Sequence, residues 1–138
     1  MIVRRLAVGS VIAASLALIT TGTAAANPIP GAPFVERAEW AKWGDLSSLR
    51  VYPTQAGRQA AGELGTIAQA DTAWVEVLAL SPDAAIPGMR EQFMCHWQFA
   101  EYAQPGKTSW NLEPWRPEVS AEQMLAAGCN PGGTEEPF

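Results

Sequence analysis

The sequence has few of the side chains on which enzymes and metal sites depend. It contains one histidine, His96, and two cysteines, Cys95 and Cys129, among 138 residues. It has no H-E-x-x-H zinc signature and no glycine-rich phosphate loop, and Ser109 lacks the G-x-S-x-G setting of a hydrolase nucleophile. Metal sites favour close C-x-x-C pairs with further ligands. We therefore predict neither a metal ion nor a cofactor.

Basic residues are also scarce. Nine lysines and arginines stand against fourteen aspartates and glutamates, which gives a formal charge of -5. Loss of Arg4 and Arg5 with an N-terminal leader would leave seven basic residues against the same fourteen acids. An acidic protein repels phosphate backbones and anionic lipid headgroups. Nucleic acids and membrane surfaces are therefore not expected as partners.

Long apolar runs are missing after residue 26. The one long run, residues 6–19, follows the two arginines and precedes a tail of small residues that ends in Ala24 and Ala26. This order predicts a secretory signal peptide over residues 1–26, cleaved after Ala26. A transmembrane anchor is the alternative, but it needs about 20 apolar residues and this run has roughly 14. We expect a secreted or envelope-associated protein, without a transmembrane anchor after cleavage.

The residues that follow the cleavage site suit one domain. Residues 27–33 hold three prolines, which predicts an extended arm. Residues 130–138 combine glycine, proline and glutamate and predict a flexible acidic tail. The single globular domain is thus predicted over residues 34–129.

The two cysteines of an exported chain are expected to pair with each other. A bond between Cys95 and Cys129 would contribute roughly 3–4 kcal/mol in the chain-entropy model. A metal-binding pair or a reactive thiol is the alternative.

The N-terminal half predicts a small antiparallel sheet. Residues 48–54 alternate apolar and polar side chains and are rich in β-branched and aromatic residues, which indicates a half-buried strand. Residues 35–42 fit neither period, so a strand and a short amphipathic turn both stay open. Residues 54–65 contain three glycines and predict a loop with at most one weak turn of helix.

Residues 71–80 predict a helix with Asp71 as its N-cap. This helix would direct Glu76 to solvent, whereas the alternative strand would place Glu76 among apolar side chains, at a cost in free energy.

Residues 87–103 predict a longer helix, because Met89, Phe93, Trp97 and Ala100 form one apolar stripe at helical spacing. Alternation between residues 93 and 99 leaves a strand as the alternative.

The C-terminal part predicts a tryptophan-rich irregular segment followed by a short helix. Residues 107–117 form the irregular segment. Ser120 and Gln123 make a capping box for a helix over residues 120–127, which Gly128 would end. The expected fold is a small α+β domain with two or three helices and a small antiparallel sheet, stapled by the Cys95–Cys129 disulfide.

A tryptophan-rich recognition surface is the leading functional hypothesis, because aromatic side chains near prolines and polar residues are typical of binding clefts. A structural ion pair between Glu113 and Arg116 is the alternative for those two residues. The expected ligand is an envelope glycan, lipid or protein. The predicted binding residues are Arg90, His96, Trp110, Asn111, Glu113, Trp115 and Arg116.

An enzyme is the second hypothesis, either a small secreted hydrolase or a toxin-like protein. His96 would be the catalytic base, with Glu113 or Asn111 as its partner. A partly buried structural histidine is the alternative.

Four strings of the sequence resemble a family of exported actinobacterial, mycobacterial-type proteins that is classed as a domain of unknown function (DUF2599-like). They are SLRVYPTQAGR at residues 48–58, MREQFMCHWQFA at 89–100, KTSWNLEPWRP at 107–117 and GCNPGG at 128–133. The resemblance implies a secreted, single-domain product with its cysteines paired. It implies no activity.

Overall fold

The computed structural model describes residue 22 and residues 31–134. The predicted signal peptide apart from Gly22, most of the proline-rich arm and residues 135–138 of the tail lie outside the described residues. Residues 31–134 form four α-helices and a three-stranded antiparallel sheet, which confirms the predicted α+β class. None of the helices in the described part of the chain has the length and apolar character needed to cross a bilayer.

The sheet has the strand order β1-β2-β3. Strands β1 (Val35–Trp43) and β2 (Leu46–Pro53) form a hairpin, and its tight turn contains Gly44 at a φ of 59°, which suits glycine in a two-residue hairpin loop. This decides the open alternative at residues 35–42 in favour of a strand.

The third strand, β3 (Trp110–Leu112), pairs with residues 49–51 of β2. The prediction of irregular structure over residues 107–117 is wrong at these three positions. A three-residue strand is too short to show a period of two, and pairing with β2 is what makes it a strand.

Helix α1 (Gln55–Ala61) occupies the segment predicted as a loop. Its N-cap is Thr54, whose hydroxyl accepts a hydrogen bond from the Gly57 backbone N–H at 2.9 Å. Gly57 is one of the three glycines that indicated a loop. In the structure it lets the backbone of Phe34 lie against the helix, because a Cβ at Gly57 would collide with the carbonyl oxygen of Phe34.

Helix α2 (Ile67–Leu80) confirms the helix predicted over residues 71–80 but begins earlier, so Asp71 is not its N-cap. Asp71 lies inside the helix and accepts a hydrogen bond from Arg90 at 2.6 Å. The prediction that Glu76 points to solvent is also wrong. Its Oε2 accepts hydrogen bonds from the backbone N–H groups of Phe34 and Val35, at 2.7 and 2.8 Å. Glu76 thus supplies the acceptor for two backbone N–H groups at the start of β1.

A short 3₁₀ turn, Pro82–Ala84, follows α2 and fixes the outer strand. The indole N–H of Trp40 on β1 donates to the Ser81 hydroxyl at 3.0 Å and to the Asp83 carboxylate at 3.1 Å. The Asp83 carboxylate accepts hydrogen bonds from Ser81 and from Trp40, of which the Ser81 bond has the larger effect. Because these bonds stabilise the charged form, the pKa of the Asp83 carboxyl lies below its ordinary value.

Helices α3 (Met89–Ala103) and α4 (Ala121–Ala126) confirm the two C-terminal helix predictions. Gly88, at a φ of 88°, precedes α3. The capping box of α4 is present in both directions, between Ser120 and Gln123.

The core lies between the sheet and helices α2 and α3. The apolar stripe of α3 packs there against aromatic residues from the other elements, with the rings of Phe93 and Trp97 about 6 Å from that of Trp110 on β3. A second, smaller cluster lies at the disulfide, where Cys95 and Cys129 pack with Met124. Their Cα atoms are 5.6 Å apart, so the predicted disulfide is confirmed.

The close approach at Gly57 generates a prediction. We expect Gly57→Ala to lower the free energy of unfolding by about 1–3 kcal/mol, because the added methyl group must displace the backbone of Phe34. Gly62→Ala is the matched control. A Cβ at Gly62 would meet its nearest atom at 3.5 Å, at a φ of -73°, and should change stability by less than about 0.5 kcal/mol. Urea unfolding measures both variants, and equal midpoints would contradict the close approach.

Candidate functional site

Glu113 and Arg116, the most distinctive residues of the tryptophan-rich segment, form a fully buried ion pair. Arg116 Nε donates to Glu113 Oε2 at 2.7 Å, and both side chains have 0% exposure. The Ser48 hydroxyl on β2 donates to Glu113 Oε1 at 3.0 Å. The alternative expected from the sequence, a structural pair, describes this arrangement.

The side-chain amide of Gln92 on α3 extends the same network. Its Nε2 donates to the backbone oxygen of Glu113 and its Oε1 accepts from the backbone N–H of Glu113, each at 2.9 Å. Gln92 thus satisfies both backbone groups of a buried residue just after β3, as a neighbouring strand would.

Arg116 also holds the C-terminal segment. Its guanidinium donates to the backbone oxygens of Pro131 at 3.1 Å and Gly133 at 2.6 Å. Residues 130–134 of the predicted tail are thereby attached to the domain, and residues 135–138 lie outside the described residues.

His96 lies beside this network. Its Nδ1 is 2.8 Å from the backbone oxygen of Gln92. A carbonyl oxygen only accepts, so Nδ1 carries the proton in this hydrogen bond. The side chain of Asn111 accepts a hydrogen bond from the Ser109 hydroxyl at 2.6 Å.

Burial separates the predicted binding residues into two groups. Five of them lie in the interior with exposures of 5% or less: His96, Trp110, Asn111, Glu113 and Arg116. Trp115 is half-buried with the Arg116 guanidinium 4.4 Å above its ring, and Arg90 is exposed and paired with Asp71. The structure therefore places most of the predicted recognition surface in the packed interior.

An open groove lies on α3 instead, where three cavities meet at one partly buried aromatic residue, Phe99. We call these cavities together the Phe99 groove. The His96 cavity, about 520 Å³, lies between the C-terminal half of α3 and the disulfide segment. The Leu64 cavity, about 440 Å³, lies between α3 and the loop that joins α1 to α2. The Arg90 cavity, about 180 Å³, lies between α3 and α4.

The rim of the Phe99 groove is apolar and exposed. Leu64 is 88% exposed, Tyr102 is 61% exposed and Leu125 is 52% exposed. Grouped apolar residues on a soluble surface are typical of interaction sites, and the volume of the His96 cavity falls in the range of small-molecule pockets. Among residues 31–134, no three His, Cys, Asp or Glu side chains lie close enough together to hold a metal ion.

Comparison with known proteins places the chain in a family. The family described as protein of unknown function (DUF2599) matches residues 35–132. The chain belongs to the DUF2599 family. The resemblance found in the sequence strings is thereby confirmed, and the match spans all four helices and all three strands.

Relatives of this DUF2599 protein occur in several mycobacteria. Uncharacterized protein Rv0477 of Mycobacterium tuberculosis and uncharacterized protein Mb0487 of Mycobacterium bovis are each 64% identical to it over 110 residues, which cover 79% of this chain and 74% of theirs. Uncharacterized protein ML2452 of Mycobacterium leprae is 48% identical over 109 residues, which cover 79% of this chain and 88% of its own. No solved structure matches the chain.

Two groove residues of this DUF2599 protein, His96 and Arg90, were among the predicted binding residues, but the apolar residues of the groove were not singled out from the sequence. A second stripe on α3 could have indicated them, since His96, Phe99, Ala100 and Ala103 follow at i, i+3, i+4 and i+7. A helix with apolar residues on two faces has either two packed faces or one packed face and one open face. The sequence does not distinguish these cases, because it does not predict how much of α3 a helix as short as α4 covers.

The buried pair of this DUF2599 protein generates a prediction. We expect Glu113→Gln to lower the free energy of unfolding by about 3–5 kcal/mol, because it leaves the buried Arg116 charge uncompensated. Arg90→Met breaks an exposed pair and should cost about 1 kcal/mol or less. Chemical unfolding monitored by tryptophan fluorescence measures both. A cost for Glu113→Gln as small as that for Arg90→Met would show that the pair is not buried in solution.

Proposed function

We propose that this protein is an exported binding protein and that its recognition site is the Phe99 groove. The observation that carries the proposal is the meeting of three cavities at Phe99, inside a rim of exposed apolar side chains. Water at such a surface is released when an apolar ligand covers it, which favours binding.

Export is supported by two features, the N-terminal sequence and the disulfide. Residues 1–26 have the charged, apolar and small-residue regions of a signal peptide in the right order. The disulfide between Cys95 and Cys129 closes a loop across 34 residues, and such bonds persist in oxidising compartments outside the cytoplasm.

The lining of the groove favours apolar ligands among the three expected classes. Glycan recognition needs several accessible polar side chains that point at hydroxyl groups. Most of the lining area of the His96 cavity is apolar and includes Phe99 and Leu125, and the Tyr102 hydroxyl already donates to the Gly62 backbone oxygen. A lipid chain or an apolar protein segment fits this lining better than a glycan.

A hydrolase that uses His96 is the second candidate function, because His96 lines the largest of the three cavities. Its exposed fraction is only 4%, so the ring offers little surface to a substrate. In a screen with acyl ester substrates, hydrolysis that is lost in His96→Gln would favour this candidate over simple binding.

Export has a direct test in a mycobacterial host that expresses the full chain. We expect protein outside the cell that begins at Asn27 and has no free thiol, as measured by mass spectrometry of culture filtrate. Ala26→Lys should block processing because the cleavage position needs a small residue, and Ala25→Lys should be processed because the middle position of A-x-A is unrestricted. Retention of residues 1–26 in the wild-type protein would contradict export with cleavage.

Ligand binding has a test with Nile red, a neutral apolar dye. We expect Leu125→Glu and Leu64→Glu each to weaken dye binding at least about tenfold, because a carboxylate at the rim must lose water when the dye binds. Val75→Glu is the matched control, since Val75 is 65% exposed and lines none of the three cavities. Fluorescence titration gives the dissociation constants. Equal binding by all three variants and wild type would remove the groove as the site.

A further inference from the structure

A fourth cavity, of about 360 Å³, lies between the turn end of the β1–β2 hairpin and the 3₁₀ turn after α2. Trp40 and Lys42 lie on one face of β1 because they are two residues apart, and Ser47 of β2 is the pairing partner of Lys42. The volume falls in the range of small-molecule pockets. We call this cavity the Trp40 cleft, and it shares no lining residue with the Phe99 groove. Its lining residues are Trp40, Lys42, Ser47, Asp83, Ile86 and Pro114.

The indole ring and the carboxylate of the Trp40 cleft are held in fixed positions. The Trp40 indole N–H and the Ser81 hydroxyl both donate to Oδ1 of Asp83, at 3.1 and 2.6 Å. A carboxylate has about four acceptor positions on its two oxygens, so Asp83 keeps acceptor capacity for a ligand. Groups that are fixed before a ligand arrives lose little entropy when it binds. The contacts that attach β1 to the turn therefore also fix two groups that can contact a ligand.

The two charges of the Trp40 cleft favour a neutral ligand. Lys42 supplies an ammonium group and Asp83 a carboxylate, and both residues are exposed. Within the described part of the chain, no ion pair joins the two. A ligand with a net positive charge is repelled by Lys42, and a ligand with a net negative charge is repelled by Asp83. A neutral group that both donates and accepts hydrogen bonds can contact both side chains.

A sugar ring combines the properties that the Trp40 cleft requires. Its hydroxyl groups donate to a carboxylate and accept from an ammonium group. Its C–H face is apolar and can pack on the surface that Trp40, Ile86 and Pro114 provide. The zwitterion of an amino acid would also meet both charges, but its own charged groups lose more hydration on binding than hydroxyl groups do.

We propose that the Trp40 cleft binds a neutral sugar unit of a cell-envelope polysaccharide. Because Lys42 and Asp83 are exposed, a sugar inside a longer chain can enter the cleft. The site is separate from the Phe99 groove, whose lining is mainly apolar. The proposal shares with the proposed function only the export that brings the protein to the envelope.

Affinity electrophoresis tests the proposal with the purified, disulfide-bonded protein. The native gels contain protein-free and lipid-free cell-wall polysaccharide of a mycobacterial host, separated by anion exchange into a neutral and an acidic fraction. The mobility of each protein is compared with its own mobility in a gel without polysaccharide. We expect the neutral fraction to retard the wild-type protein.

Two variants change the Trp40 cleft without removing its attachment to β1. Asp83→Asn keeps one oxygen that accepts from Trp40 and Ser81 and replaces the other oxygen by a donor, so it should weaken binding about tenfold. Lys42→Ala removes an exposed side chain near the end of β1 and should weaken binding at least about threefold.

Two further variants are the controls. Asp71→Asn makes the same change in charge as Asp83→Asn, at an exposed residue of α2 that lines none of the four cavities. Leu125→Glu changes the Phe99 groove instead. Both should bind the polysaccharide within about twofold of the wild-type affinity.

The outcomes separate this proposal from that of the Phe99 groove. Absence of retardation of the wild-type protein would overturn the sugar site, as would retardation by the acidic fraction alone. Full binding by both Asp83→Asn and Lys42→Ala would also overturn it, and loss of binding in Leu125→Glu would assign the polysaccharide to the Phe99 groove. The Nile red titrations are independent of these results, so the two sites stand or fall separately.

Discussion

The buried ion pair between Glu113 and Arg116 is the interaction on which the rest of this structure depends. Each charge has lost its water and must be solvated by protein groups instead. Glu113 is solvated by Ser48 and Arg116, and Arg116 by Glu113 and by carbonyl oxygens of the last described residues. Removal of any partner leaves a buried polar group unsatisfied, which costs more than the contact itself contributes. Strands β2 and β3 and the C-terminal segment are thus held in one arrangement.

The same C-terminal segment is attached a second time by the disulfide. Cys129 is bonded to α3 at Cys95, and Arg116 binds the chain a few residues later. Helix α4 has six residues, too few to be stable by itself, so its position on α3 is set largely by these two attachments and by its capping box. It covers α3 around Cys95, and farther along the helix Phe99 and Tyr102 border open cavities. The groove is therefore a consequence of how the segment is fastened.

Local sequence patterns predicted the elements whose deciding contacts lie within a few residues. The apolar stripe predicted α3, and the capping box predicted α4. Prediction failed where a distant contact decides the structure. Helix α1 depends on Gly57 because the backbone of Phe34 passes against it, and Glu76 turns inward because two N–H groups at the start of β1 need an acceptor. Strand β3 exists because β2 pairs with it. None of these contacts leaves a periodic signal.

The candidate site shows the same limit more strongly. Glu113 and Arg116 are distinctive because a fully buried ion pair in a hydrogen-bond network tolerates few substitutes, and that requirement is independent of any ligand. The groove is lined by ordinary apolar residues, and an apolar side chain on a helix has the same pattern whether or not another helix covers it. Only the length and attachment of α4 leave Phe99 open. In a small domain of this kind, the most distinctive residues therefore identify the interior, and the open groove is the part of the helix that α4 and the disulfide leave uncovered.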